Sequence, residues 1–296
     1  MPPKDSLSNN SFFSVRILLD DAVDRLSAAG IYDPSVDAEL LLAHVLHVSR
    51  GRVQALKVLD AQLEADDTDR FLALIHRRTE REPLQHLTGL AFFRALELEV
   101  GPGVFIPRPE TEQVAQYAID ALRATAQPVP VGVDLGTGSG AIALAMATEV
   151  PHAQIHAVEN SPEAFVWAQR NIQRLAQGNV RAVFSDIATA LPEITNGVDV
   201  VISNPPYIPD GAIPRDPEVR LFDPHAALYG GADGLDTVRV VSRVAWRLLK
   251  PGGTLVIEHG ELQGEAIRVI LAGEGWRSAR THPDLTRRDR ATTALR

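Results

Sequence analysis

Residues 133–140 read VDLGTGSG, an apolar segment that runs directly into three glycines in five positions. The apolar segment is typical of a buried strand, and the alanine-rich residues that follow are typical of a helix. Glycines between a strand and a helix let the backbone approach a ligand, and the free N–H groups at the helix start favour an anion. The spacing is G-x-G-x-G, which differs from the G-x-G-x-x-G of dinucleotide binders, and the sequence has no P-loop motif for ATP. The stretch therefore predicts a strand, a ligand-binding loop and a helix in succession.

The same alternation of strand and helix continues to the end of the chain. We predict strands at 131–135, 154–158, 180–184, 198–203, 254–259, 275–282 and near 291–295, and helices at 140–149, 161–176, 235–249 and 261–273. A chain of this kind forms a mostly parallel sheet that is covered by helices on both faces. The predicted fold class is therefore α/β.

The first part of the chain has a helical pattern instead. Residues 1–13, rich in Ser, Asn and Pro, are predicted to be a mobile tail. Apolar residues then recur every three or four positions from Leu18 to Ala29, which indicates an amphipathic helix, and Leu-rich segments continue to about residue 81. These residues predict a small helical domain.

A change of period after Pro83 marks the end of that domain. Apolar residues at 96, 98 and 100 alternate with glutamates, as in a half-exposed strand, and residues 104–106 can return as its partner. We therefore predict a helical domain at residues 1–85, a β-hairpin linker at 86–107 and an α/β domain at 108–296.

Composition argues against several classes of protein. The formal net charge of −9 lacks the basic excess of a nucleic-acid binder. The chain has no cysteine, so disulfides and Cys-ligated zinc are impossible, and its nine histidines have no partners at metal-ligand spacing. Neither a signal-peptide pattern nor a membrane-spanning apolar run is found. We expect a cytoplasmic protein with no metal, no membrane partner and no direct nucleic-acid substrate.

Polar side chains at successive strand ends predict the ligand of the glycine loop. Asp134 would repel a diphosphate but attract an ammonium group, such as that of S-adenosylmethionine (SAM). Glu159 ends the second strand, where an acidic side chain can accept hydrogen bonds from both ribose hydroxyls. Asp186 and Ile187 follow the third strand and suit the edge and face of an adenine. The predicted cofactor is SAM, and the predicted cofactor-binding residues are Asp134, Gly136, Thr137, Gly138, Ser139, Gly140, Glu159, Asp186, Ile187, Asn204 and Phe105.

A second motif follows the fourth strand of this domain, where residues 200–207 read VVISNPPY. Proline cannot continue a central strand, because it lacks the N–H group of the ladder and has a fixed φ. A stiff turn here aims two acceptors, the Asn204 side chain and the Pro205 carbonyl, at one small group, and Tyr207 adds a flat wall. We interpret the motif as a binding site for a planar NH2 group.

These motifs resemble those of the PrmC/HemK family, class I SAM-dependent methyltransferases that modify a glutamine side chain of peptide-chain release factors. The resemblance covers residues 83–296 well and the helical domain only in general character. Two small departures are Glu159, where many members have Asp, and Arg287, where small residues are common. The segments that carry the resemblance are PLQHLTG at 83–89, FIPRPETE at 105–112, NPPYI at 204–208, ALYGGADGL at 227–235, LKPGG at 249–253 and DLTRRDR at 284–290.

The resemblance implies a Rossmann-like sheet of seven strands, with a helical domain that recognises the protein substrate. It also implies methyl transfer from SAM to the amide nitrogen (N5) of the glutamine in a Gly-Gly-Gln loop of class 1 release factors, which modulates translation termination. In this scheme Asn204, Pro205 and Tyr207 are the catalytic residues. The substrate-binding residues are these three and Pro206.

Several alternatives remain open at this stage. A DNA adenine-N6 methyltransferase would use the same pocket for a flipped base, although the chain lacks a basic cluster beyond residues 287–290. A binding module that kept the fold and lost catalysis is a third possibility. Tyr207 can also be a packed core residue, and Phe105 can pack on the cofactor or simply close the hairpin.

Overall fold

The protein is described by a computed structural model over residues 13–296, so the predicted N-terminal tail lies outside the described residues except for residue 13. The chain divides into two compact units between Gly89 and Leu90. The helical unit thus extends four residues beyond the predicted boundary at 85, and the hairpin belongs to the second unit. The division into recognition domain, linker and catalytic domain stays a prediction about function.

The first unit is built from helices around its own apolar core. Its helices are α1 (Val15–Ala28), α2 (Pro34–Leu46), α3 (Arg50–Val58), α4 (Ala65–Thr79) and α5 (Leu84–Thr88), and two short antiparallel strands are β1 (Phe13–Ser14) and β2 (Gln62–Leu63). The hydroxyls of Ser14 and Ser49 cap α1 and α3 by accepting from backbone N–H groups. Leu42, Phe71 and Ile75 are fully buried among the helices. The core and the caps explain why this part of the sequence folds as helices.

The hairpin pairs different segments from those predicted. Strands β3 (Leu90–Phe93) and β4 (Leu96–Glu99) are antiparallel, with Phe93 opposite Leu96. The predicted pairing of residues 96–100 with 104–106 is therefore wrong. The physical reason is that residues 90–93 already pair with 96–99 through a tight turn, and residues 104–106 form no strand.

Seven strands of residues 13–296 form the central sheet of the second unit. They are β5 (Val131–Leu135), β6 (Gln154–Glu159), β7 (Val180–Phe184), β8 (Val198–Ser203), β9 (Leu249–Glu258), β10 (Arg277–Pro283) and β11 (Asp289–Leu295). Their order across the sheet is β10-β11-β9-β8-β5-β6-β7. Neighbours from β9 to β7 are parallel, whereas β11 is antiparallel to both β9 and β10. The predicted α/β fold with a mostly parallel sheet of seven strands is confirmed.

Helices cover both faces of this sheet. They are α6 (Pro109–Ala124), α7 (Ala141–Glu149), α8 (Pro162–Leu175), α9 (Pro217–Phe222), α10 (His225–Leu228), α11 (Asp236–Leu248) and α12 (Gly264–Gly273). Successive residues of β8 show the two layers, because neighbouring side chains of a strand point to opposite faces. Val200 and Ile202 pack in one apolar core and Val201 packs in the other. The short helices α9 and α10, which the sequence pattern did not predict, follow the N-P-P-Y motif.

The position of β5 determines where a ligand binds. β5 pairs with β6 on one side and with β8 on the other, so the chain changes direction across the sheet at this strand. In open α/β sheets the crevice at such a switch point, beyond the carboxyl ends of the strands, is the usual ligand site.

Candidate functional site

A cavity of about 530 Å³ opens at the carboxyl ends of the parallel strands. This volume lies within the range of roughly 300–1,000 Å³ that is typical of cofactor and substrate pockets. Most residues predicted from the sequence line it: Phe105, Gly136, Thr137, Gly138, Ser139, Glu159, Asp186, Ile187, Asn204, Pro206 and Tyr207. Three predicted residues, Asp134, Gly140 and Pro205, do not line the cavity.

The glycine loop joins β5 to α7 and is held against the end of β6. The N–H groups of Gly136 and Thr137 donate to the carbonyl oxygen of Val158 at 2.9 and 2.8 Å. Gly136 and Gly138 have positive φ angles of 78° and 58°, which glycine adopts without strain. A Cβ atom at Gly138 would have no atom within 4 Å, so the loop leaves open space beside its backbone. This open space lets a ligand approach the backbone of the loop closely.

Asp134 lies within β5, beneath the loop. Its Oδ2 atom accepts hydrogen bonds from the Thr137 hydroxyl (2.6 Å) and from the N–H of Ala143 (3.1 Å). Its Oδ1 atom is buried and has no hydrogen-bond partner within residues 13–296. Burial raises the pKa of Asp134 to about 7. The carboxylate therefore ties the loop to α7, and its predicted contact with an ammonium group stays a prediction that the unpaired Oδ1 atom favours.

Glu159 ends β6 and is held by backbone donors. Its Oε2 atom accepts from the N–H of Gly138 at 2.8 Å, and its Oε1 atom accepts from the N–H groups of Asn160 and Ser161, both at 2.9 Å. Each carboxylate oxygen can accept more than one hydrogen bond, so these contacts leave capacity for a ligand. Asn160, which the sequence analysis did not single out, also lines the cavity. The feature of the sequence that could have indicated Asn160 is its position directly after Glu159, a predicted strand-end residue.

Asp186 and Ile187 lie after β7, at the far side of the cavity. The Asp186 Oδ1 atom accepts from the N–H of Ala188 at 2.8 Å and so caps a short 3-10 turn at Ile187–Thr189. The Asp186 Oδ2 atom lies 3.5 Å from the side-chain amide of Asn160. This arrangement places a carboxylate and an apolar side chain side by side in the cavity lining, and their predicted contact with an adenine stays a prediction.

The Asn204 loop begins where β8 ends. The hydroxyl of Ser203 donates to the carbonyl oxygen of Leu135 at 2.7 Å, which joins the carboxyl ends of β8 and β5. The Asn204 side-chain amide lies 3.4 Å from the hydroxyl oxygen of Thr111, in the first turn of α6. Thr111 lines the cavity as well, although the sequence analysis did not single it out. The structure thus brings the Asn204 side chain and the glycine loop to one cavity.

A glycine-rich segment supports the Asn204 loop from behind. The N–H of Ile208 donates to the carbonyl oxygen of Leu228, and the N–H of Gly230 donates to that of Ile208. A Cβ atom at Gly230 would lie 2.4 Å from the carbonyl oxygen of Pro206 and is therefore excluded. The glycine motif at 227–235 is thus explained by close approach of one backbone to another.

Two aromatic side chains complete the wall. Phe105 lines the cavity, and the guanidinium carbon of Arg108 lies 5.0 Å from the centre of its ring. Arg108 also forms an ion pair with the buried Asp223 carboxylate at 2.6 Å, which ties the segment before α6 to the turn between α9 and α10. Burial and the Glu258 charge raise the pKa of Tyr207 to about 12, so its hydroxyl stays neutral at physiological pH.

Glu258 lies behind Asn204 and was not predicted. It ends β9, is 2% exposed, and does not line the cavity. Burial raises its pKa to about 7, although the hydroxyl of Thr111, the charge of Arg290 and the amide of Asn204 lower it. An acidic residue at the end of an apolar strand is the same signal that identified Glu159, so the residue could have been found from the sequence.

The strand order, the glycine loop after β5 and the acidic residue after β6 define a class I SAM-dependent methyltransferase. Comparison with known families agrees, because a family described as Methyltransferase domain matches residues 131–281 and one described as PrmC N-terminal domain matches residues 18–89. The chain is 49% identical over 279 residues to the "Release factor glutamine methyltransferase" of Streptomyces coelicolor, with 92% of this chain and 95% of the relative covered. It is 43% identical over 289 residues to the protein of the same name from Bifidobacterium longum, with 94% and 98% covered. The chain belongs to the release factor glutamine methyltransferase family.

A relative with a different name is also similar. The "4-amino-L-phenylalanine/4-methylamino-L-phenylalanine methyltransferase" of Streptomyces pristinaespiralis is 38% identical over 285 residues, with 94% of both chains covered. Its name describes a small aromatic amine as acceptor. The same chain architecture therefore occurs with more than one named acceptor.

The residues of the cavity fit SAM as the cofactor. The open space beside Gly138 and the spare acceptor capacity of Glu159 suit a nucleoside ligand with an amino-acid end, and the buried carboxyl group of Asp134 lies beneath the loop. Within the described part of the chain, no cluster of three or more His, Asp or Glu side chains is arranged to hold a metal ion. Within that same part, none of the helices has the length and apolar character needed to cross a bilayer.

Proposed function

We propose that the protein transfers the methyl group of SAM to the side-chain amide nitrogen, N5, of the glutamine in the Gly-Gly-Gln motif of class 1 release factors and so modulates translation termination. One observation carries the proposal. Asn204 and the glycine loop line one cavity, in a chain that is similar over more than nine-tenths of its length to relatives named as release factor glutamine methyltransferases.

The chemistry of an amide acceptor explains why such a loop is needed. The nitrogen of an amide is a poor nucleophile, because its lone pair is delocalised into the carbonyl group. When bound, SAM supplies an electrophilic methyl group on a sulfonium. Two acceptors that hold both hydrogens of the amide orient its nitrogen for an in-line displacement, an effect of position and of charge placement.

Residues of the Asn204 loop have these roles in the proposal. The Asn204 side-chain oxygen accepts one hydrogen of the glutamine amide and the Pro205 carbonyl accepts the other, while Pro206 and Tyr207 form the wall that keeps the amide in plane. Pro205 is buried and lies outside the cavity lining, so its contact belongs to the proposal alone. Transfer forms the N–CH3 bond as the donor S–CH3 bond breaks, and the nitrogen loses one proton. The products are N5-methylglutamine and S-adenosylhomocysteine.

The contacts of the cofactor are also part of the proposal. The open space beside the glycine loop at 136–140 receives the amino-acid end, Glu159 accepts from the ribose hydroxyls, and Asp186 with Ile187 recognises the adenine. Asp134 acts on the ammonium group through the orientation of Thr137 or directly through its unpaired oxygen. Phe105 packs against the cofactor across the cavity from the glycine loop.

The helical unit is proposed to recognise the release factor. Its match to the PrmC N-terminal domain supports this role. So do its exposed apolar side chains, since Tyr32 is 93% exposed and Val58 is 86% exposed. A substrate of the translation apparatus implies that the enzyme acts in the cytoplasm.

A small aromatic amine is the second candidate acceptor. The relative from Streptomyces pristinaespiralis favours it, because the NH2 group of an aniline is also planar and would fit between the same acceptors. A DNA adenine is not favoured, since the most similar relatives act on proteins or amino acids by name and the chain carries a net charge of −9.

The test is a transfer assay with methyl-labelled SAM. The acceptors are a purified class 1 release factor, its variant with alanine for the glutamine of Gly-Gly-Gln, 4-amino-L-phenylalanine and duplex DNA, each with wild-type enzyme and with Asn204→Ala. The proposal predicts label on the unmodified release factor alone, and none with Asn204→Ala. Label on the small amine or on DNA, with none on the release factor, would establish the other acceptor instead.

A further inference from the structure

Glu258 is a buried carboxylate for which the proposed reaction has no stated role. It ends β9, next to the end of β8, because Ser203 pairs with Ile257 in the parallel register. The residues that follow these two partners, Asn204 and Glu258, therefore lie at the same level of the sheet. The Glu258 Oε2 atom is buried and has no hydrogen-bond partner among the described residues 13–296.

Two side chains with donor groups connect Glu258 to the cavity. The hydroxyl of Thr111 and the amide of Asn204 are close enough to Glu258 to lower its pKa, against the larger effect of burial. The Asn204 Nδ2 atom also lies 3.4 Å from the Thr111 hydroxyl oxygen. Both donors line the cavity, whereas Glu258 does not. Glu258 can therefore affect a bound substrate only indirectly, and Thr111 and Asn204 are the two hydrogen-bonding side chains between it and the cavity.

The function of Asn204 depends on which way its amide faces. An asparagine side chain has an acceptor oxygen on one side and a donor NH2 on the other, and the two orientations are nearly equal in shape. Only the orientation with Oδ1 toward the cavity can accept a hydrogen from a substrate amide. Some other group must therefore distinguish the two orientations.

An ionised carboxylate makes this distinction, because it can accept hydrogen bonds but cannot donate them. We propose that Glu258 is a positioning residue, whose carboxylate accepts from the Asn204 amide and the Thr111 hydroxyl and thereby turns the Asn204 oxygen toward the acceptor amide. This inference rests on the proposed function for its activity readout, but the orientation of Asn204 can be measured without a substrate.

Protonation of Glu258 removes this orientation. A carboxylic acid can donate a hydrogen bond, so the Asn204 oxygen can then face Glu258 and its NH2 can face the cavity. Besides Thr111 and Asn204, the charged and titratable groups around Glu258 are Glu110 of α6, Arg290 of β11 and Tyr207 of the Asn204 loop. With a pKa of about 7, the carboxylate changes its charge in the physiological range. We therefore expect the transfer rate to fall as the pH falls through this value.

The first experiment measures single-turnover methyl transfer to the release factor from pH 5.5 to 8.5 in the wild-type enzyme and in Glu258→Gln. Glutamine has almost the same volume but can accept or donate, so it does not select one orientation of Asn204. We expect the variant to transfer about 10- to 100-fold more slowly at pH 8, as for a misplaced reacting group. Its affinity for SAM should stay within twofold, and its rate should fall less than that of the wild type as the pH falls through 7, because only the contribution of Asp134, which both proteins share, is left in that range.

Matched variants separate positioning from folding. Asp199→Asn changes a buried carboxylate at the start of β8, whereas Asn204 follows the end of that strand. Asp199 accepts from the N–H of Val131 and pairs with Lys250. This control should keep the wild-type pH profile. Glu258→Asp retains an ionisable acceptor and should recover part of the rate together with the pH dependence. A Glu258→Gln enzyme with the wild-type rate and pH profile overturns the proposal, as does one that loses SAM affinity in parallel with rate.

The second experiment needs no methyl acceptor, so it distinguishes failure of this inference from failure of the proposed function. The side-chain NH2 signals of Asn204 are followed by NMR in protein labelled with ¹⁵N-asparagine and are assigned by their loss in Asn204→Ala. We expect these signals to titrate with a midpoint near 7 in the wild-type protein and to be independent of pH in Glu258→Gln. Signals that titrate identically in both proteins would show that Glu258 does not control Asn204.

Discussion

The two halves of the cavity are held in different ways. The cofactor half consists of residues 136–140, 159 and 186–187, after β5, β6 and β7. The acceptor half consists of residues 204–207 with Thr111, at the end of β8 and the start of α6, and Glu258 at the end of β9 lies behind it. In the cofactor half, carboxylates accept from backbone N–H groups, three of them in the case of Glu159. In the acceptor half, polar side chains contact other side chains far away in sequence, since Thr111 and Asn204 are 93 positions apart.

This difference has a functional consequence. Backbone donors are present whatever the side chains are, so the cofactor half is a binding site that does not depend on distant residues. In a side-chain network each side chain is oriented by its neighbours, so a change of one residue disturbs the others. A buried polar group that loses its hydrogen-bond partner also costs free energy. Changes in the cofactor half should therefore alter SAM affinity, whereas changes in the acceptor half should alter the transfer rate at constant SAM affinity.

The largest effect is expected for Asn204→Ala. Loss of a hydrogen-bond acceptor that acts on the reacting group should lower the transfer rate by about 100- to 1,000-fold. The affinity for SAM, measured by calorimetry, should stay within about threefold, since the cofactor half is intact. A parallel loss of SAM affinity and rate would contradict the separation of the two halves.

The next effect concerns stability and its dependence on pH. The pKa of Glu258 rises from an ordinary value of 4.5 to about 7 on folding, so the folded protein binds more protons than the unfolded chain between these values. The stability that this group contributes is fully present below pH 4.5 and is lost as the pH rises through 7. Glu258→Gln should therefore be more stable than the wild type at pH 8, on the order of 1–3 kcal/mol.

The same variant should differ little from the wild type in its free energy of unfolding at pH 4.5. Urea denaturation at both pH values measures this comparison. Asp134 has the same raised pKa in both proteins, so its contribution cancels. If the two proteins differed by the same free energy of unfolding at both pH values, Glu258 would already be ionised or solvated in the folded protein at low pH, and folding would not raise its pKa.

A smaller effect is expected in the cofactor half from Glu159→Gln. The amide retains one acceptor, but its NH2 group faces backbone N–H donors, so the loop at Gly138 is displaced and the ribose loses a charged partner. We expect the affinity for SAM to fall about 10- to 30-fold, in keeping with about 1.5–2 kcal/mol for a charged hydrogen bond. Under saturating SAM the transfer rate should recover to within about threefold. The exposed Glu163 of α8 provides the matched control, Glu163→Gln.

The smallest effect tests the support behind the Asn204 loop. A Cβ atom at residue 230 would lie 2.4 Å from the Pro206 carbonyl oxygen, whereas one at Gly211, in the same connection, has no atom within 4 Å. Gly230→Ala should displace the Asn204 loop and lower the transfer rate by about 10-fold, since small misplacements of reacting groups are costly. Gly211→Ala should transfer at the wild-type rate. Equal rates for the two variants would show that this close approach has no part in holding the loop.

Much of the site could be predicted because its signals lie along the chain. The glycine loop, Glu159 and the Asn204 motif each follow an apolar strand, and the carboxyl ends of parallel strands meet at one edge of a sheet. The class of cofactor follows from these positions, and the comparisons with relatives confirm the family and the SAM dependence. The specific residue contacts with cofactor and substrate remain predictions.

The errors and omissions have a common physical cause: each concerns a contact between segments whose pairing in space no local sequence pattern encodes. The hairpin was assigned to the wrong partner, since alternation identifies a strand but not the segment that pairs with it. Thr111 was overlooked because a threonine in the first turn of a helix is ordinary unless its neighbour in space is known. The ion pair between Arg108 and Asp223 joins residues 115 positions apart, and no local pattern indicates it.

Sequence alone determined the alternating strands and helices, the helical first unit, the absence of cysteine chemistry and the two loops, 136–140 and 204–207, that follow strands of the sheet. These features depend on the order and period of residues along the chain, where neighbours in sequence are neighbours in space. Only the tertiary structure decided which groups stand behind those loops: the Gly230 backbone against Pro206, and Glu258 with Thr111 against Asn204. Burial and the pKa of a carboxylate depend on everything that surrounds it, and that environment exists only after the chain has folded.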